Sequence, residues 1–267
     1  MPDKISILFL GDIIGRPGRQ VLDKHLPSLI KRLSPTFVIA NGENAAGGAG
    51  MTMKIARELF VRVDVLTSGN HIWDKREVLD ILDKEPHLLR PANYPPVNPG
   101  KGVCVFEADS GAKVGVMSLQ GRVFMEPIDC PFRTADKELE VLKAATPVVL
   151  VDFHAEATSE KQALGWYLDG RVSAVIGTHT HVTTADERIL PQGTAYISDV
   201  GMVGGYNAVI GIKKEAGVAR FLTSRSQRFE PSKEGAILSS IFITVDAQSG
   251  KALSIRREMI IEEDIGL

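Results

Sequence analysis

Cysteine is nearly absent: the chain has two in 267 residues, Cys104 and Cys130. Two cannot build a disulfide framework, and their separation is not that of a zinc-binding or redox pair. A reducing compartment is expected, with both side chains as buried small hydrophobes. Long apolar runs are missing as well. Stretches such as Ile7–Leu10 and Val148–Val151 fall far short of the roughly 18 residues of a membrane span. Lys4–Leu10 is too short for a secretory leader, Asp12 follows at once, and no small-residue cleavage site appears, so it reads as a first strand. Charge of one sign is not in excess either. Lys plus Arg number 31 against 33 Asp plus Glu, a formal net charge of -2, which leaves no basic footprint for duplex nucleic acid. No G-x-G-x-x-G follows the first strand, which excludes a Rossmann dinucleotide binder.

What remains is an ordinary globular composition, 44% hydrophobic and 24% charged. Near-continuous apolar runs at Ile5–Leu10, Phe37–Ala40, Val63–Thr67, Val114–Leu119, Val148–Phe153 and Ala174–Ile176 predict strands buried on both faces. Helical periods lie between them. Val21, Leu22, Leu26, Leu29, Ile30 and Leu33 mark the first helix, which Pro27 should kink or split. Ile55, Ala56, Leu59, Phe60 and Val63 mark a second, and Val78, Leu79, Ile81 and Leu82 a third, with Asp74 as N-cap and Glu77 completing a capping box. Ser159 and Gln162 suggest another box before Ala163–Leu168. Residues 90–102 and 121–133 read as long surface loops. From Ile189 onward helical periodicity is lost, and Ile237–Val245 with Ala252–Ile261 predicts a terminal hairpin. The expectation is one α/β domain over 1–267 with a β-rich C-terminal part.

The polar residues fall in a pattern. Asp12 follows strand one, Asn41, Glu43 and Asn44 follow strand two, and Asn70 and His71 follow strand three. His154 ends the strand from Val148, and His179 and His181 follow the one from Ala174. In a largely parallel sheet these strand ends share one edge, where α/β sites form. Any single member has an ordinary reading, as turn chemistry or a hydrogen-bonded histidine. Together they have the composition of a metal site. Imidazole, carboxylate and amide donors without thiolate suit manganese or iron better than closed tetrahedral zinc. The candidates are too many for one catalytic ion that keeps an open position, whereas two ions sharing a carboxylate use them well, the standard device for phosphate ester hydrolysis.

The strings GDIIGRPGR, NGENAAGG, GNHIWD, FHAEATSEK and GTHTHV resemble the YmdB-like branch of the calcineurin-like metallophosphoesterases, over Gly11 to about Gly211. The resemblance implies an αββα sandwich, with central mixed sheets flanked by helices, and a dinuclear cyclic-nucleotide phosphodiesterase. Two departures from the wider superfamily stand out. Its first motif reads Asp-x-His, yet Asp12 is followed by Ile13 and Ile14, and its bridging Asp is replaced by Glu43. In this branch Asn44 is expected to fill the vacant place. The implied ligands are then Asp12, Glu43, Asn44 and His181 for one ion, and Glu43, Asn70, His154 and His179 for the other, the ions being iron or manganese.

His71 is left without a metal. It would protonate the leaving alkoxide after attack by a metal-bridged hydroxide, or only hydrogen-bond a phosphate oxygen. Arg16 is a candidate phosphate contact or an exposed helix-start arginine. Gly47, Gly48 and Gly50 either let backbone approach a ligand or make a flexible turn. Glu156 and Lys161 could orient His154 or cap the next helix, Ser159 is assigned to capping, and 199–206 is a loop near the site. Arg122, Phe124 and Met125 are a lid over the substrate base or a packed surface loop. The function expected is hydrolysis of 2',3'- or 3',5'-cyclic nucleotides, or of another phosphodiester. The alternatives are a phosphomonoesterase or nuclease with the same centre, or a cyclic-nucleotide sensor or interaction protein. The resemblance also implies a cytoplasmic homo-oligomer.

Overall fold

The computed structural model describes residues 3–263; Met1, Pro2 and 264–267 of the expected 1–267 domain lie outside the described residues. In chain order the strands are β1 (Lys4–Leu10), β2 (Asp12–Ile13), β3 (Phe37–Asn41), β4 (Val65–Thr67), β5 (Val103–Glu107), β6 (Lys113–Gln120) and β7 (Val149–His154). They continue with β8 (Ala174–Thr178), β9 (Arg188–Ile189), β10 (Ala195–Ile197), β11 (Met202–Gly204), β12 (Ala236–Asp246) and β13 (Ala252–Glu262). The helices are α1 (Gly15–Leu33), α2 (Met53–Phe60), α3 (Val78–Leu82), α4 (Pro131–Ala145), α5 (Thr158–Leu168) and α6 (Lys214–Thr223).

Two mixed sheets form. One has the order β2-β11-β12-β1-β3-β4 with β13 added on β12, and the other β5-β6-β7-β8-β10-β9. Their facing sides make one apolar layer, with Ile7, Phe9, Phe37 and Ile39 packed against Val114, Val116, Leu150 and Ile176. The outer side of the first sheet is covered by α1, α2 and α3 through Leu22, Leu26, Leu59 and Ile81. The outer side of the second is covered by α4 and α5 through Leu139, Leu142, Leu164 and Leu168. The architecture is helix, sheet, sheet, helix, as the resemblance implies. Because β1, β3 and β4 run parallel, as do β6, β7 and β8, each sheet gathers its C-terminal strand ends along one edge.

Several local expectations are corrected. Helix α1 is not split at Pro27 and runs unbroken to Leu33. A mid-helix proline costs about 3 kcal/mol, whereas burying Val21, Leu22, Leu26 and Leu29 returns about 1.5–3 kcal/mol for each side chain. Helix α2 ends at Phe60 and β4 begins only at Val65, so Val63 belongs to neither. No capping box forms at α3, because the helix starts only at Val78 with Glu77 at the N-cap position; Asp74 lies upstream, 2.9 Å from His71 Nδ1. Helix α5 starts one residue before Ser159, whose hydroxyl therefore cannot cap it. The loop from Gly121 stops at Cys130, where Pro131 opens α4. Helix α6 interrupts the C-terminal part expected to lack helix. The 90–102 loop is anchored inward by buried Arg90, which donates to the carbonyls of Pro91 and Pro99 at 2.9 and 3.0 Å. Cys104 and Cys130 are free thiols and only half-buried; burial still pushes the Cys104 thiol up to about 12.

Candidate metal centre

The sheet edges bring seven of the predicted side chains together. From the first sheet come Asp12 on β2, Glu43 and Asn44 after β3, and Asn70 after β4. From the second come His154 at the end of β7, and His179 and His181 after β8. The ligand atoms of Glu43, His154 and His179 lie within 4.8 Å of one another, and so do those of Asp12, Glu43 and His181. Glu43 is common to both sets. Its Oε1 lies 3.2 Å from His154 Nε2, and its Oε2 accepts the backbone N–H of His71 at 3.1 Å. Asn44 Nδ2 bridges Glu43 Oε1 at 2.9 Å and His181 Nε2 at 3.2 Å. Asn70 Oδ1 and His179 Nδ1 meet His154 Nε2 at 3.1 and 3.0 Å.

Each histidine presents one nitrogen inward while the other is held outside. His181 Nδ1 donates to the Ile210 carbonyl at 2.9 Å, which leaves its Nε2 as a lone pair. His179 Nε2 lies 3.0 Å from Glu156 Oε2, so Nδ1 faces inward. His154 Nδ1 is 3.0 Å from Thr178 Oγ1, whose single O–H is donated to Asp152 Oδ1 at 2.7 Å. That hydroxyl can only accept from the ring, so His154 carries its proton on Nδ1 and directs Nε2 inward. Asp152 also takes Asn41 Nδ2 at 3.0 Å and the Thr67 hydroxyl, and Asn41 Oδ1 in turn accepts the backbone N–H of Glu43 at 3.1 Å.

The buried carboxylates and imidazoles shift one another's protonation. Asp12 is fully buried and its Oδ1 has no hydrogen-bond partner among the described residues. Burial pushes its carboxyl well above the usual range, and Glu43, Asp199 and Asp152 add to that while His154 opposes it. Burial also opposes charge on Glu43 and His154. Their mutual attraction nevertheless holds Glu43 down at about 2 and His154 up at about 9, Asp12 and Asp152 assisting the latter. Burial, then the His154 charge, lowers His179 to about 3, and burial lowers His181. A buried Asp12 carboxylate oxygen without a hydrogen-bond partner is costly as it stands. A positive ion would give that oxygen a partner among the gathered donors, so the residues present fit a metal centre.

Backbone strain and close packing make this geometry. His179 and His181 have φ of 102° and 63°, left-handed values uncommon for a residue with a side chain. The turn is pinned at Thr180, whose N–H donates to Asp199 Oδ2 at 3.0 Å, while Lys161 Nζ bonds the same oxygen at 2.7 Å. Both members of that ion pair are buried. Gly69 precedes Asn70 because a Cβ there would sit 2.0 Å from His154 Cδ2.

The remaining candidates separate. The His71 side chain is 41% exposed, with Nδ1 2.9 Å from Asp74 Oδ2. Arg16 is exposed in the first turn of α1. Phe124 is 90% exposed and Arg122 and Met125 are not buried; the loop is tied by the Arg122 and Val123 N–H groups donating to Glu160. Neither Glu156 nor Lys161 touches His154 or caps a helix: they meet His179 and Asp199 instead. Sequence reasoning missed Asp152, Thr178 and the Lys161–Asp199 pair.

A family model described as YmdB-like protein matches residues 8–258. The 2',3'-cyclic-nucleotide 2'-phosphodiesterase of Bacillus subtilis (strain 168) is 49% identical over 260 residues, which cover 97% of this chain and 98% of that protein. A solved structure of a hypothetical protein from Thermus thermophilus is 43% identical with a TM-score of 0.90, covering 97% of this chain and 100% of that one. A Mycoplasma pneumoniae structure described as a novel phosphatase is 37% identical with a TM-score of 0.92, covering 99% and 96% of the two chains.

Proposed function

The chain belongs to the YmdB-like family, and from that premise we propose that it is a metal-dependent phosphodiesterase that opens the ring of 2',3'-cyclic nucleotides. The observation that carries the reading is the sharing of Glu43 between two clusters of inward-facing donors, beside an unpaired Asp12 oxygen. Asp12, Asn44 and His181 would hold one ion, Asn70, His154 and His179 the other, and Glu43 both. Iron or manganese suits this thiolate-free set. When bound, such a pair polarises the phosphoryl oxygens and makes hydroxide available at neutral pH.

The chain's own residues orient and move the proton. Thr178, Glu156 and the Ile210 carbonyl hold one nitrogen of His154, His179 and His181, respectively, so that the other is directed inward. His71 gives a proton from Nε2 to the departing ribose oxygen, while Asp74 holds Nδ1. Arg16 supplies a charge-assisted contact to the phosphate. The 2',3' ring is favoured over 3',5'-cyclic, monoester and nuclease substrates by the name of the Bacillus subtilis relative. The reading also includes a cytoplasmic homo-oligomer, in keeping with the family resemblance; no helix among the described residues is long and apolar enough to cross a membrane.

The test is a substrate panel with the metal-loaded chain: 2',3'- and 3',5'-cyclic nucleotides, a linear diester and a monoester. The 2',3' compound should be turned over best, and His154→Ala and His181→Ala should lose metal and activity together. Preference for the monoester, or full metal occupancy in His181→Ala, would overturn the assignment.

A further inference from the structure

Residues 213–230 leave the fold and return to one point. Ile212 and Pro231 pair as an antiparallel bridge, and Lys213 N donates to the Glu230 carbonyl at 3.0 Å. That point is the rim of the metal centre. The carbonyl that anchors His181 belongs to Ile210, just before the excursion. Just after it, Pro231 closes on Gly15 and Gly48, whose N–H groups donate to the Asn44 carbonyl at 2.8 and 3.1 Å.

The excursion has its own chemistry. It carries five basic and two acidic side chains in a chain whose net charge is -2. Lys213 and Lys214 are paired with Glu230 and Glu234, but Arg220 and Arg225 form no ion pair among the described residues. Phe221 and Leu222 are 82% and 81% exposed, and Val218 and Phe229 each 50%. Single exposed apolar side chains need no explanation, whereas aromatic rings interleaved with unpaired arginines do.

We propose that this excursion is a track for single-stranded RNA, and that the substrate class of the site includes RNA 3' ends that carry a 2',3'-cyclic phosphate. The inference rests on the 2',3' reading above. Such an end presents the same ring as a mononucleotide, but its 5' oxygen continues into a chain that must leave over the rim. Arginines there meet phosphates, and Phe221 and Phe229 stack bases without regard to sequence. In the reaction a water oxygen joins phosphorus, the bond from phosphorus to the 2' oxygen breaks, and that oxygen takes a proton. The RNA is left with a 3'-phosphate and a free 2'-hydroxyl.

The experiment compares kcat/KM for a 2',3'-cyclic mononucleotide with that for a short RNA ending in the same cyclic nucleotide, on the manganese-loaded full chain. The RNA should be preferred by roughly 10-fold or more at low salt, with the preference shrinking as salt rises. The double variants F221A/F229A and R220A/R225A should lose most of the preference and keep mononucleotide turnover. Equal kcat/KM values, or equal losses on both substrates, overturn the proposal. So does a change of oligomeric state or of vesicle binding in Phe221→Asp without any RNA preference in the wild type, since the surface then belongs to a second copy or a lipid. If neither substrate turns over, the catalytic reading fails by itself. Fluorescence anisotropy with the 3'-phosphate RNA then decides this one: salt-sensitive binding lost in both double variants supports it, and no binding overturns it.

Discussion

At the scale of single residues, the centre is specified by what lies behind its donors. His154 owes its inward Nε2 to a relay from Nδ1 through Thr178 to Asp152. Replacing Asp152 with Asn keeps every proposed metal ligand but removes the carboxylate that orients the Thr178 hydroxyl. The variant should bind manganese about 10- to 100-fold more weakly in competition with a chelator; unchanged affinity would show that the hydroxyl orients the ring unaided. His71→Ala should keep its metal, while kcat on a 2',3'-cyclic nucleotide falls roughly 10²- to 10⁴-fold. With p-nitrophenolate, which leaves without a proton, the loss should be far smaller. Equal losses on both substrates would make His71 a phosphate contact. The clustering of the seven side chains was legible in the sequence because each stands at or just beyond the end of an apolar run. Asp152 was legible in principle, since it is two residues before His154 on a strand and so shares its face. The Lys161–Asp199 pair was not, because its partners are 38 residues apart and meet only through packing.

At the scale of elements, strand ends turn sharply, and the cost is met nearby. Each left-handed residue in the 179–181 turn costs of order 1–3 kcal/mol, which the Asp199 anchor offsets. Lys161→Met leaves Asp199 as an unpaired buried charge. It should lower the unfolding free energy of the metal-free chain by about 3–5 kcal/mol in urea melts, and a loss below about 1 kcal/mol would show that the pair anchors nothing. Gly69→Ala tests the opposite edge. With its Cβ 2.0 Å from His154 Cδ2, the chain should fold yet lose metal, and full occupancy would mean that the turn has room. The helices missed in the sequence have physical reasons. Helix α4 has a regular stripe at Ala135, Leu139 and Leu142, but it opens on a proline that ends a loop signal. In α6 only Gly217 is buried, so its apolar residues follow no core-facing period. The edge strand β5 has a continuous apolar run at Val103–Phe106 but is only half-buried and directly follows the 90–102 loop signal.

At the scale of the whole molecule, the centre joins two sheets that otherwise meet through an apolar layer. Asp12, Glu43, Asn44 and Asn70 stand on one sheet, and His154, His179 and His181 on the other. Ions held between them, as proposed, would therefore stabilise the native state alone. At a free concentration of 100 Kd one site contributes about 2.7 kcal/mol, which for a chain of this size raises Tm by roughly 5–10 °C. A chelator should reverse the rise, and an unchanged Tm would place the ions elsewhere. The most direct test of the account follows hydrolysis of a 2',3'-cyclic nucleotide as manganese or iron(II) is added back to the metal-free chain. Activity should start near zero and saturate at about two ions per chain, with Glu43→Ala abolishing both uptake and turnover. Saturation at one ion per chain, turnover without metal, or ligation centred on Cys104 or Cys130 would contradict it.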